Sequence, residues 1–170
     1  MITRLATAQD LRGIMKIEQE SFGEDVGEES MATEAMMRDR IALCNATQPG
    51  WFWVAESDGV VCGYLILQPT HLDPDSCTSW NMATDNGTLR TTFASDGDAI
   101  FGVSLGTGSS APSGTFYMLV YRGVLLLAST RKKSIMLCSR LPRLQKTANT
   151  RGTAPEEYWQ QKDRTGAPRD

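Results

Sequence analysis

The sequence predicts an α/β (α+β) domain built on one mixed central sheet flanked by helices. Three features lead there: a capped helix with an apolar stripe near the start, two strand-like runs joined by Asp-Gly, and an apolar strand that feeds a glycine-rich turn and a long apolar helix. With 170 residues, of which 41% are hydrophobic, one core suffices and the chain reads as a single domain, 1–140 forming the core and 141–170 an irregular extension.

Ile2 to Ala6 reads as a leading strand. Thr7 to Asp10, TAQD, matches a capping box, and Leu11, Ile14, Met15, Glu18 and Phe22 follow as an apolar stripe with one polar interruption, Glu18. A second helix is predicted over Met31 to Cys44. Trp51–Glu56 and Val60–Leu67 form a hairpin across Ser57, Asp58 and Gly59. From Gln68 to Asp98 the chain is polar and irregular, a long loop that is either functional, disordered, or hiding a short strand around Leu89 to Phe93. Ile100–Leu105 is the next strand, and the helix over Gly114 to Ser129, almost uncharged, is expected to be buried on all sides. Arg122, within it, belongs at an edge or in a pair. Ser134–Cys138 then lies parallel to the preceding strand, because the intervening helix makes a crossover. Pro155 opens a short terminal helix through EEYWQQK.

Charge is unevenly distributed. Residues 1–98 carry 16 acidic and 6 basic groups, 99–155 carry 8 basic groups and no carboxylate, and the last fifteen carry 4 acidic and 3 basic groups, giving a net charge of −3 for the chain. That balance speaks against general affinity for nucleic acid but leaves a basic stretch able to hold a small polyanion. No secretory signal or membrane span is evident, so a soluble, cytoplasmic protein is expected. Cys44, Cys62, Cys77 and Cys138 form no CxxC pair and share the chain with one histidine, His71, so no metal site is expected.

The turn GTGSSAPSG aims backbone N–H groups and a helix N-terminus at one point, an arrangement that suits phosphate. A P-loop would need Lys directly after the last glycine, and Gly114 is followed by Thr115. Gly106, Gly108 and Ala111 fit the GxGxxA dinucleotide pattern, with Ser139 and Arg140 suited to an NADP 2′-phosphate, but only about 60 residues follow, too few for a nucleotide domain.

The order of elements, with TAQDLRGIMKIEQESF, VAESDGVVCGYL and VSLGTGSSAPSGT as its landmarks, resembles the GCN5-related N-acetyltransferase (GNAT) family over about residues 1–140. In that family the turn carries Gln or Arg, two residues, Gly, one residue, then Gly or Ala. Ala111, Gly114 and Phe116 take those positions here, and only Gly114 matches.

The resemblance implies an N-acetyltransferase moving an acetyl group from acetyl-coenzyme A (acetyl-CoA) to a primary amine, on a small molecule or a peptide. Ser109, Ser110, Ala111, Ser113, Gly114 and Thr115 would then hold the pyrophosphate. Val103, Ser104 and Leu105 would lie beside the pantetheine arm, with a main-chain N–H near Leu105 polarising the thioester carbonyl. Arg131, Lys132 and Lys133 would face the adenosine 3′-phosphate. Attack by an amine needs a base, sought at Glu56, Asp98, His71 or a water, and an acid for the thiolate, for which Tyr158 is preferred to Tyr121. Glu24, Asp25, Glu28 and Glu29 would draw a cationic acceptor or be a solvated loop. The family's closing C-terminal hairpin has no evident counterpart, so either Arg140 to Asp170 replace it, or the sheet keeps an exposed edge that a homodimer could cover, or the chain is a degenerate relative that no longer transfers acetyl groups. The rival readings are a non-catalytic acyl-CoA-binding or interaction module of the same fold and an NADP-dependent reductase.

Overall fold

A computed structural model describes residues 1–26, 31–73, 79–130 and 134–137, with backbone only for 24–26 and 134–137. Its elements in chain order are β1 (Ile2–Leu5), α1 (Leu11–Val26), α2 (Glu34–Asn45), β2 (Phe52–Ser57), β3 (Val60–Thr70), α3 (Trp80–Ala83), β4 (Ala99–Thr107), α4 (Thr115–Thr130) and β5 (Ser134–Leu137). The sheet order is β1-β2-β3-β4-β5, antiparallel throughout except for the parallel pair β4–β5. A doubly wound dinucleotide domain needs a parallel sheet, so the NADP reading is overturned.

Local chemistry explains the elements. The Asp10 carboxylate accepts both the Thr7 N–H (2.8 Å) and its hydroxyl (3.0 Å), closing the turn that leads into α1. Thr33 caps α2, its hydroxyl accepting the Met36 N–H at 3.2 Å. The β2–β3 hairpin turns on Asp58 (φ 53°) and Gly59 (φ 78°), the doubly left-handed geometry that Asp-Gly favours. No strand forms at Leu89 to Phe93. Leu89 is instead fully buried within a succession of turns, and the Gln68 amide pins that segment by donating to the Ala83 and Thr92 carbonyls, both at 3.0 Å.

The core lies on both faces of the sheet. α1 and α2 supply Ile14, Ile17, Met37 and Ile41 on one side, and α4 supplies Leu119 and Leu126 on the other. The expectation that α4 is buried all round is corrected: Phe116, Tyr117, Val120, Tyr121, Val124 and Leu125 are exposed. A helix laid on a sheet buries one stripe, and the others stay outside whatever their polarity. Arg122 lies over the Trp53 ring, 3.5 Å from its centroid. Among the described residues no helix is long and apolar enough to cross a membrane. Cys44 and Cys62 are buried free thiols, and burial pushes Cys44 up to about 12.

Candidate functional site

β4 is where the sheet opens. Its register with β5 runs from Ala99↔Ser134 to Gly102↔Leu137, so among the described residues Val103 to Thr107 have no partner on that side. Opposite, β3 pairs Ile66 with Ser104 but Leu67 with Gly102, leaving Val103 as the extra residue of a bulge. The Val103 carbonyl accepts from the Trp80 indole N–H at 2.8 Å. Gly108 donates to the Cys62 carbonyl, which makes that pair the hydrogen-bonded kind. By the alternation of an antiparallel ladder, Gly106 and Ser104 also turn their main chain toward β3, and Leu105 turns its N–H toward the opening.

The glycine-rich turn follows directly. Its N–H groups are not all available: Ser109 donates to the Glu20 carboxylate (2.7 Å), Ala111 to the Gly108 carbonyl (3.0 Å) and Thr115 to the Pro112 carbonyl (3.2 Å). The Thr115 hydroxyl is buried and also committed to the Pro112 carbonyl, at 2.7 Å, and Ala111 packs against the core. The expectation that every amide from Ser109 to Thr115 except Pro112 is open to a ligand is thereby corrected. Among the described residues the N–H groups of Ser110, Ser113, Gly114, Phe116 and Tyr117 have no partner. Gly114 has φ +92° with open space where a Cβ would stand, a conformation that side-chain-bearing residues rarely adopt. Phe116 is half exposed and meets Tyr117 edge to face, ring centroids 5.7 Å apart.

A buried polar cluster adjoins β4 on the α1 face. Tyr64, with no exposed surface, donates its hydroxyl to Glu18 and lies 2.9 Å from the Ser104 hydroxyl. Glu18, 6% exposed, also accepts the Ala32 N–H at 3.4 Å. Arg40, 2% exposed, donates to the Gly87 carbonyl at 2.7 Å. Burial holds the Arg40 pKa below its ordinary value while the Glu18 charge works the other way. Burial, and then the neighbouring Glu18 charge, raise the Tyr64 pKa well above the ordinary phenol value. In the sequence, the sign of this cluster is the carboxylate of Glu18 interrupting the apolar stripe of α1.

The expected bases do not gather at β4. Glu56 sits on β2, with β3 between it and β4, and accepts from Arg4 Nε at 2.8 Å in a cluster that includes Asp10. His71 and Asp96 pair at 3.3 Å in an exposed position, and they and Asp98 lie at the end of β4 remote from the turn. Tyr121 is on the exposed side of α4. Tyr158, Arg131 to Lys133, Arg140, Glu28, Glu29, Cys77, Cys138 and the expected terminal helix lie outside the described residues, as do the side chains of Glu24 and Asp25.

No protein-family model matches the chain, and no curated protein does. Solved structures do. The chain is similar to the GphF GNAT-like decarboxylase in complex with isobutyryl-CoA (20% identity, TM-score 0.65, 100% of this chain and 80% of that one). It is also similar to the loading GNATL domain of CurA from Lyngbya majuscula (15%, 0.64, 97% and 76%). A third likeness is to the PaiA N-acetyltransferase of Thermoplasma acidophilum in complex with coenzyme A (10%, 0.58, 89% and 87%). The order of elements and these likenesses agree: the chain has the fold of the GCN5-related N-acetyltransferases.

Proposed function

We propose that the chain binds an acyl-coenzyme A and transfers its acyl group, acetyl in the simplest case, to a primary amine. The observation that carries this reading is the adjacency of two features. Among the described residues β4 past Gly102 has no neighbour on the β5 side, beside Leu105, and the turn and the first residues of α4 at the same end of β4 hold five N–H groups without a partner. The turn amides of Ser110, Ser113 and Gly114, with those of Phe116 and Tyr117, offer donors to a diphosphate at the start of α4. Ser109, Ser110 and Ser113 add hydroxyls. Val103, Ser104 and Leu105 flank the thioester, and the Leu105 N–H is directed where negative charge develops on its carbonyl oxygen as the amine attacks. Bound in this way, the coenzyme supplies an activated acyl group with a stable thiolate as leaving group. Tyr158 remains the proposed acid for that thiolate. Glu56, held by Arg4, is not assigned the base.

Calorimetry with acetyl-CoA and coenzyme A, followed by a thiol-release assay over a panel of amines, tests the reading. Binding with amine-dependent thiol release supports it. Binding without release supports the non-catalytic module, and no binding removes both. The likeness to a decarboxylase favours a second reading, loss of carbon dioxide from a 2-carboxyacyl-CoA. Amine-independent carbon dioxide release in the same assay would favour it.

A further inference from the structure

We propose that Ser104, Tyr64 and Glu18 form a hydroxyl relay that removes a proton from the acceptor amine. The inference rests on the acyl-transfer reading and names the proton acceptor that reading lacks. Of the three residues only Ser104 is partly exposed, and it sits on β4 between the bulge residue Val103 and Leu105. Tyr64 donates its proton to Glu18, so its oxygen is left to accept the Ser104 hydroxyl proton across 2.9 Å. The Ser104 oxygen then has lone pairs for an incoming N–H. Gly106, opposite Tyr64, leaves the ring its room: a Cβ there would meet Tyr64 Cε1 at 2.8 Å.

The steps balance. An ammonium group gives one proton to Ser104 Oγ, Ser104 passes its own to Tyr64, and Tyr64 passes its own to Glu18, which becomes a neutral acid. The freed amine forms its N–C bond as the C–S bond breaks, and the second amine proton ends on the departing thiolate. Glu18 later returns its proton to solvent. The sums are amine plus thioester in, amide plus thiol out.

Every charged or titratable group against this chain of hydroxyls suits the task. Arg40 on α2 sets a positive charge near Glu18, and the Cys44 thiol, also on α2, is kept protonated by burial. Tyr64 on β3 holds its proton far above neutrality, so it conducts a proton without resting as an anion. β4 contributes no titratable side chain here.

The test is steady-state kinetics of Ser104→Ala, Tyr64→Phe and Glu18→Gln against a simple primary amine, with acetyl-CoA affinity measured alongside. Each variant should lose about 10²- to 10⁴-fold in kcat with little change in that affinity, the range expected for a lost general base. Without the relay only amine already neutral in solution reacts, so the variants' rates should climb with pH toward the amine's own pKa, whereas the wild type reaches its plateau earlier. Ser104→Thr, which keeps the hydroxyl, should recover most of the rate. Should Glu18→Gln fail to fold, Ser104→Ala and Tyr64→Phe still decide the matter. Wild-type kcat and an unchanged pH profile in those two would overturn the relay while leaving acyl transfer intact. A wild type that binds acetyl-CoA and acylates no amine would overturn both.

Discussion

Glu20, on α1, reaches the glycine-rich turn and accepts the Ser109 main-chain N–H at 2.7 Å, so a carboxylate of the protein occupies one of the donors a diphosphate would use. The Ser109 N–H is the main reason its pKa is held below the ordinary carboxylate value, and it is therefore charged at neutral pH. Glu20→Gln should tighten coenzyme A binding by roughly threefold or more at low salt, with the gain shrinking as ionic strength rises. Calorimetry at two salt concentrations measures this. Weaker binding in the variant would mean that Glu20 shapes the turn for the ligand.

Gly114, with φ +92°, sets the direction in which the turn enters α4. Gly114→Val meets no steric obstacle but must bear the left-handed strain, about 1–2 kcal/mol. Thermal denaturation should show a modest loss of stability. Coenzyme A binding should be abolished as the unpaired amides turn away.

Asp10 is held below the ordinary carboxylate pKa, chiefly by the side-chain hydrogen bonds of Arg4, with both guanidinium contacts at 2.7 Å. A depressed folded-state pKa means stabilisation that is complete above the unfolded value, roughly pH 4, and is lost as pH falls through the folded one. Asp10→Asn should therefore lower stability at neutral pH and flatten the acid limb of the stability curve. Urea denaturation at pH 7 and below pH 4 tests this, with the two proteins converging at the acid end.

The two sides of α4 should respond in opposite ways. Leu119 is fully buried, and Leu119→Ala should cost about 2–5 kcal/mol. Val124 is 53% exposed, and Val124→Lys should fall within about 0.5 kcal/mol of wild type. A large loss at Val124 in chemical denaturation would show that this apolar side is covered in solution.

Periodicity and turn chemistry made most of the frame legible before any coordinates. The Asp58-Gly59 hairpin, the Thr7–Asp10 box and the glycine-rich turn rest on interactions between near neighbours in the chain, which sequence patterns record, and the parallel β4–β5 pair followed from the crossover that the intervening helix makes. Burial of α4 was misjudged for the complementary reason. Hydrophobicity measures what a helix tolerates, while packing against one sheet face decides what it hides. Of the readings open for the polar loop, a short strand near Leu89 is replaced by turns tied down by Gln68, a residue more than twenty positions away.

The site divides in the same way. Sequence by itself determined that an apolar strand would deliver a glycine-rich turn to the start of a helix, because those residues adjoin one another, while which amides stay free was decided by the fold. Only the tertiary structure decided that Glu18, Tyr64 and Ser104, from α1, β3 and β4, would share one buried hydrogen-bonded chain, and that Glu56 would be spent on Arg4. The physical reason is that a proton path needs oxygens about 3 Å apart. Such proximity between residues 40 and more positions apart is set by strand register and helix packing, which no local pattern encodes.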